Sequence, residues 1–306
     1  IVRPADLAQL QACLRVASDN GVPVYPSSRG RNLGYGSRVP TCDGAALLDL
    51  ARLDRITDLD LDLATVVIEP GVTFAALARH LQGSGHSIAR TGAPPDASVL
   101  ANSLERGLGR GRHGARSERL CGLHVVLADG SLLRTGLARF PDSPARGLSR
   151  HGFGPALDGL FFQSRLGQVA SATLWLTPDP GATHELPFTL SHRDQLAALV
   201  DRLRPLKLAD TLPHTISIYN DRRLLTIAGA PATCPPGQAL SQAEVDRQNP
   251  AGQDARWLAQ ITVDGASPAI AAATRDLLHT TIAGRVDRLQ IHDARSHDPP
   301  RLASDA

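Results

Sequence analysis

Two stretches hold the residue types from which a ligand site could be built. The first, YPSSRGRNLGYGS (residues 25–37), sets Gly30, Gly34 and Gly36 among Arg29, Arg31, Asn32 and three serines. The second, LERGLGRGRHGARSER (residues 104–119), alternates Gly107, Gly109, Gly111 and Gly114 with Arg106, Arg110, Arg112 and Arg116. Backbone N–H groups bared at glycine-rich turns can hold phosphate oxygens, and arginines add charge-assisted donors. Taken together, the two stretches read as halves of a cradle for a polyanion or a dinucleotide. Neither is a standard nucleotide loop. A Walker loop needs a Lys after its last glycine, and none is present. The dinucleotide fingerprint must open a long helix, whereas residues 30–36 run into SRVPTCDG, where Pro40 and the turn residues forbid one. The plainer alternatives are a surface Ω-loop with arginines in solvent for the first stretch and a flexible basic loop for the second. An RGG-like nucleic-acid segment is a further alternative, disfavoured because no aromatic stacking partner accompanies the second stretch.

The surrounding elements must position these loops. RPADLAQLQACLRVASDNG carries Leu7, Leu10, Leu14 and Ala17 at helical spacing, with Asp6 as cap and Gly21 as stop. VPVYP and GAALLDL read as strands on either side of the first glycine loop, giving a βαβ-type unit. TVVIE is a strand, TFAALARHL a helix running to Gly83, and CGLHVVLADGSLLRTG a hairpin about a DG turn. QVASATLWLTPDPG is a strand ended by prolines. Beyond it, HRDQLAALVDRLRPLKL reads as a helix and HTISIYNDRRLLTIAG as a strand passing into polar turns. CPPGQALSQAEVDRQNPAGQ reads as a loop open to disorder. RWLAQITVDG is a strand and SPAIAAATRDLLHTTIAG a helix capped by Ser267. The tail from His292 has no apolar period and is expected to be disordered.

The 306 residues suffice for two domains, and a net charge of +2 points to neither nucleic acid nor a membrane surface. No long uncharged apolar run is present. Cys13, Cys42, Cys121 and Cys234 are scattered without a C-x-x-C pair, so a zinc site is not expected and reduced thiols in a cytoplasm are. The chain starts at Ile1 and contains no methionine, so these residues need not be the whole gene product.

Four blocks in order give the chain a resemblance to the vanillyl alcohol oxidase and p-cresol methylhydroxylase family of flavoproteins: PVYPSSRGRNLGYGS, LDLARLDRITDLDLDLATVVIEPGVTFAALARHL, SVLANSLERGLGRGRHGARSERLCGLHVVLADGSLLRTG and HGFGPALDGLFFQSRLGQVASATLWLTPDPG. The resemblance implies an α+β fold: a two-subdomain FAD-binding domain over residues 1–182 (subdomains about 1–55 and 56–182), followed over 183–306 by part of an α+β substrate, or cap, domain. It implies FAD as cofactor, with Ser28, Arg29, Gly30, Arg31, Asn32 and Leu33 along the diphosphate and Gly71 near the adenine end. Ser98, Asn102, Glu105, Arg106, Gly107 and Gly109 would follow the ribityl and ring portions, and Val169 would lie along the cofactor. Tyr35 matches a family tyrosine that helps bind a phenol oxygen.

The chain also departs from the family. Ala93 stands where the family has an acid beside the flavin ring, and Asp96 is a carboxylate three residues on. Arg110 replaces a tyrosine, and Ala115 and Arg116 replace an Asp-His pair. Tyr35, Arg110 and Asp96 are therefore the candidate catalytic residues, and an arginine at 110 would favour an anionic substrate or an anionic reduced flavin. No covalent flavin tether is evident; Asn32 occupies the place of a tethering His, and His113, His124, His214 and His279 read as surface or packing residues. The implied activity is hydride removal from a small organic substrate, a para-substituted phenol or an aryl or alkyl alcohol, with oxygen or an electron carrier as acceptor and a homodimer as the assembly. The rival is a degenerate flavoprotein acting as a non-catalytic module.

Overall fold

The structure, a computed structural model, describes residues 1–31, 38–88, 92–109, 114–212, 215–229, 234 and 237–293. These residues gather into two compact units, one made of Ile1–Gly109 and Ala115–Pro178, the other running from Asp179 onward.

In the first unit, helix α1 (Leu7–Asp19) begins where the Asp6 carboxylate accepts from Gln9 N–H at 2.8 Å, and Gly21 turns the chain out of it at φ +62°. Strands β1 (Val24–Ser27) and β2 (Ala46–Asp49) pair in parallel. The βαβ expectation is corrected in one respect. The helix precedes both strands, and the described residues of the crossover between them, 28–31 and 38–45, contain no helix.

Then follow β3 (Ile56–Asp60), β4 (Thr65–Ile68), α2 (Phe74–His80), β5 (His86–Ser87), α3 (Val99–Leu104), β6 (Leu120–Val126), β7 (Leu132–Arg134), β8 (Gln168–Trp175) and β9 (Thr177–Pro178). Five of these strands form an antiparallel sheet in the order β3-β4-β8-β6-β7, and β5 pairs with β9. The DG turn joins β6 to β7 as expected, with Gly130 at φ +81° and the Asp129 carboxylate accepting from Ser131 N–H. Successive residues of a strand point to opposite faces. Val125 accordingly enters a core with Ile68, Leu77 and Leu100, while Val126 enters another with Leu10, Leu48 and Leu53. The central strands are thus sandwiched between α2 and α3 on one side and α1 and β2 on the other.

The second unit comprises β10 (Ala182–Leu190), α4 (Arg193–Leu208), β11 (Ile216–Asn220), α5 (Asp221–Ile227), α6 (Gln242–Gln248), β12 (Trp257–Gly265), α7 (Pro268–Ile282), β13 (Arg288–Leu289) and β14 (His292–Asp293). Its antiparallel sheet runs β11-β12-β10-β13, and β14 also pairs with β10. Leu186, Phe188, Leu190, Ala259, Ile261 and Val263 pack on one face against Leu199 and Leu203 of α4 and Leu278 and Ile282 of α7.

Two segments read as turns or loop are helices. Asn220 caps α5 by accepting from Arg223 N–H at 2.8 Å. Ser241 and Glu244 form a reciprocal capping box on α6. Both helices have seven residues, too few to display an apolar period. The tail is also ordered further than expected: His184 Nδ1 lies 2.8 Å from the Asp293 carboxylate, tying β14 to β10.

Candidate cofactor site

The first glycine loop is anchored at both of its described ends. Arg31 meets Asp96 at 2.5 Å through its terminal nitrogen and 2.6 Å through Nε. Arg38 donates to Asp49 at 3.1 Å, and Arg3 donates to the same oxygen at 3.1 Å. Asp49 ends β2 almost fully buried, and its other oxygen accepts from Ala51 N–H. Burial opposes its charge, but the Ala51 N–H and the two guanidiniums prevail and hold the carboxyl below its ordinary value. Arg38 and Asp49 went unassigned in the sequence, because an Asp closing an apolar strand carries no pattern until the fold brings Arg3 and Arg38 to it.

Gly30 is in the left-handed region at φ +66°, and a Cβ there would lie 2.2 Å from Arg38 Cδ, so the turn needs glycine twice over. Ser28, Arg29 and Gly30 are half-buried and Arg31 is exposed. Asn32, Leu33 and Tyr35 lie outside the described residues, as do Arg110, His113 and His214.

An open cleft begins beside β1 and brings together Ser28, Glu105 of the α3 C-cap, Val169 of β8 and the Phe161–Gln163–Ser164 turn. Three predicted cofactor residues from three distant parts of the sequence therefore share one wall. Gln163 and Ser164 belong to the GLFFQS block; their only sequence signal was that block. Ser98 caps α3: its hydroxyl accepts from Ala101 N–H at 3.0 Å and donates to Pro70 carbonyl at 2.6 Å. Arg106, at φ +56°, and Gly107 close the same helix. Arg106 N–H donates to Ser103 carbonyl and Gly107 N–H to Asn102 carbonyl, a Schellman pattern with arginine in the left-handed position. A Cβ at Gly107 would sit 2.2 Å from Asn102 Oδ1. That oxygen is buried with no hydrogen-bond partner among the described residues. Gly109 is buried. Gly71 has a local explanation: its N–H donates to Leu53 carbonyl at 2.6 Å, and a Cβ would meet Ala51 carbonyl at 2.5 Å.

Two positions of family departure are packing sites. Ala93 packs against the first core. Arg116 is buried, with its guanidinium 4.7 Å from the centre of the Phe74 ring, and burial brings its pKa down to about 10. Asp96 is half-exposed and spends its charge on Arg31. Asp158, in the fourth block, is buried with neither oxygen in a hydrogen bond of ordinary geometry. Burial raises its pKa, and Thr135 and Arg150 only partly offset this. Among the described residues no group of three or more His, Cys, Asp or Glu is placed to hold a metal ion. No helix there is long and apolar enough to cross a membrane.

An open cleft lined by Ser27, Ser28 and Ser164, beside a positive-φ glycine turn and the end of α3, offers hydroxyl groups to a nucleotide. Comparison with known proteins agrees. Residues 1–136 match the FAD binding domain family. The chain is 39% identical over 306 residues to 1'-carboxy-chondrochloren decarboxylase of Chondromyces crocatus, covering 99% of this chain and 57% of that protein. It is 31% identical over 219 residues to the 4-cresol dehydrogenase [hydroxylating] flavoprotein subunit of Pseudomonas putida, covering 71% and 42%. A crystal structure of p-cresol methylhydroxylase with substrate bound shares the fold at a TM-score of 0.86 and 24% identity, covering 95% of this chain and 57% of that one. The chain thus spans about half the length of the relatives it matches, from 42% to 57%. FAD is the cofactor these matches specify, and the chain belongs to the vanillyl alcohol oxidase and p-cresol methylhydroxylase family of FAD-linked proteins.

Proposed function

We propose that this chain is the flavin-binding part, with the start of the cap from about residue 183, of an FAD-dependent oxidoreductase acting on a small organic substrate. Para-substituted phenols or aryl and alkyl alcohols are the leading class. The carrying observation is the cleft that unites Ser28, Glu105 and Val169 beside the anchored glycine loop. The bound FAD supplies the hydride acceptor. Ser28 and the Arg29–Gly30–Arg31 backbone hold the diphosphate, and Asn32 and Leu33 are assigned to it as well. The carboxylate of Glu105 would repel phosphate, so it belongs beside hydroxyl-bearing ribose or ribityl. Val169 shields the cofactor from water. Tyr35 and Arg110 are assigned to the substrate's oxygen. Asp96 positions Arg31 through their ion pair. Oxygen or an electron carrier takes the electrons onward, and a homodimer is the assembly to test for.

A second reading is favoured by the 39% identity that extends over 99% of the chain to a decarboxylase. In it a carboxylate substrate loses CO2 as two electrons pass to the same cofactor.

The test is anaerobic titration of FAD-loaded full-length protein with phenols, aryl alcohols and their carboxylated analogues. Bleaching of the flavin band by the first two supports oxidation. Bleaching by carboxylated analogues, with CO2 released, supports the second reading. A bound flavin that nothing bleaches would leave only a non-catalytic FAD-binding module.

A further inference from the structure

The cleft beside β1 has two kinds of lining. Leu50, Leu100, Leu104, Phe161 and Val169 give it apolar surface, which suits the face of a planar ring. Ser28, Glu105, Gln163 and Ser164 give it a polar edge. These polar groups have capacity to spare. Glu105 and Gln163 are exposed, and neither side chain makes a hydrogen bond or an ion pair among the described residues. The Ser164 hydroxyl accepts from Leu166 N–H at 3.1 Å and keeps its own proton to donate.

Gln163 stands apart by its backbone. Its φ of +49° lies in the left-handed region, where glycine would be unstrained. Its N–H donates to the Leu104 carbonyl at 3.1 Å, which sets it beside Glu105 at the end of α3. Arg106 is left-handed because it closes α3, but Gln163 closes no α-helix. A strained residue with an unused amide on a cleft wall points to a ligand that the amide serves. The order of residues along the loops decides which end of FAD that is. In each glycine loop the cleft residue comes first and the residue assigned to the substrate later: Ser28 before Tyr35, and Glu105 before Arg110. The flavin ring must lie beside the substrate to take its hydride, so the other end of the cofactor falls to the cleft.

We propose that this cleft takes the adenosine end of FAD and that Gln163 is its specificity-determining residue, the side-chain amide pairing with the adenine edge while Glu105 accepts from the ribose hydroxyls. An amide matches adenine because it donates to a ring nitrogen and accepts from the exocyclic amine at once. One carboxylate can accept from both neighbouring ribose hydroxyls. The assignment rests on the placement of FAD in this cleft and is independent of what the flavin oxidises.

The experiment uses FAD-loaded full-length protein. AMP, inosine monophosphate, 2′-deoxyadenosine monophosphate and FMN are each added as competitors, and the FAD set free is measured by chromatography. In the parent, AMP should compete about fivefold or more better than inosine monophosphate, the discrimination of one bidentate amide–adenine pair. It should compete about tenfold better than the 2′-deoxy analogue, since a site built to bond a hydroxyl rejects its absence. Gln163→Gly should erase the first preference while raising Tm, because glycine relieves the left-handed backbone; a lost contact is thereby separated from a lost fold. Glu105→Leu should erase the second preference. Competition by FMN should stay within about twofold of the parent in both variants. Failure of AMP to displace FAD from the parent, a base preference that survives Gln163→Gly, or variants that weaken FMN in place of AMP would overturn the proposal. Bound FAD that no substrate bleaches would instead count against the oxidoreductase reading alone.

Discussion

The two five-stranded sheets of this protein are built to different ends. In the first unit both faces of the central strands enter hydrophobic cores: Val125 and Leu174 on one side, Val126 and Ala170 on the other. In the second unit one face is apolar, and the other carries Glu185, Gln260 and Thr262 out of water. The first sheet is therefore chiefly a support, and apart from Val169 of β8 the candidate cofactor residues of its unit sit on the loops and helix ends around it. The second sheet instead holds polar side chains on its own strands, where they are fixed more rigidly than on a loop.

The contrast can be broken by stability measurements. Leu120→Ala removes a fully buried side chain from the first sheet and should cost about 3 kcal/mol in denaturant unfolding. Thr262→Val, equally buried, should change stability by less than about 0.5 kcal/mol or raise it, because it removes an unsatisfied hydroxyl. Similar costs for the two would mean that both sheets are simply core.

Asp49→Ala tests the support role more finely. Freeing Arg3 and Arg38 should cost about 1–2 kcal/mol, at the low end because both arginines are well exposed, and should weaken FAD binding several-fold in a fluorescence titration. The folded-state pKa of Asp49 is depressed. Its contribution is therefore fully present above the ordinary value of 3.8 and is lost as pH falls through the folded value. Acid titration of the parent should show this loss, and Asp49→Ala should not.

Asp158 has the opposite sign. Its folded pKa is raised by burial, so the folded state favours the protonated carboxyl, and stability falls as pH rises from about 3.8 through the folded value. Asp158→Asn, a mimic of the neutral form, should gain on the parent over that interval in pH-dependent melts. A difference that stays flat with pH would show the carboxyl to be unperturbed. The smallest effect is expected at Arg106→Gly, which relieves a left-handed arginine and should stabilise by about 0.5 kcal/mol, read as a small rise in Tm.

What was legible in the sequence followed period and punctuation. α1, α2, α4, α7 and most of the first sheet announce themselves by apolar spacing with Asp6, Thr73 or Ser267 at the caps. α5 and α6 did not, because a two-turn helix that buries Leu224 and Leu225, or Val245 alone, shows no period. Only the SQAE capping signal at 241–244 could have marked α6. β10 was obscured by Pro187, although a proline in a strand needs only a position where its missing N–H is not called for. Of the cleft's lining, Ser28, Glu105 and Val169 were singled out through glycine-loop chemistry and family resemblance, and the fold brings these three together. The Asp49 anchor was not, since it depends on Arg3 and Arg38 arriving from opposite sides in sequence. Nor was the polar wall of the second unit, whose members lie 75 residues apart and meet only through strand register.

The unequal tethers of the first glycine loop carry a consequence for handling the protein. Arg31 and Asp96 face solvent, so dissolved ions weaken their attraction, whereas Asp49 is shielded and keeps hold of Arg38. Ionic strength thus acts as a one-sided handle. Raising it should quicken flavin departure by loosening one end of the clasp while the other stays shut, and a purification in dilute buffer should preserve the yellow colour that a high-salt wash strips away.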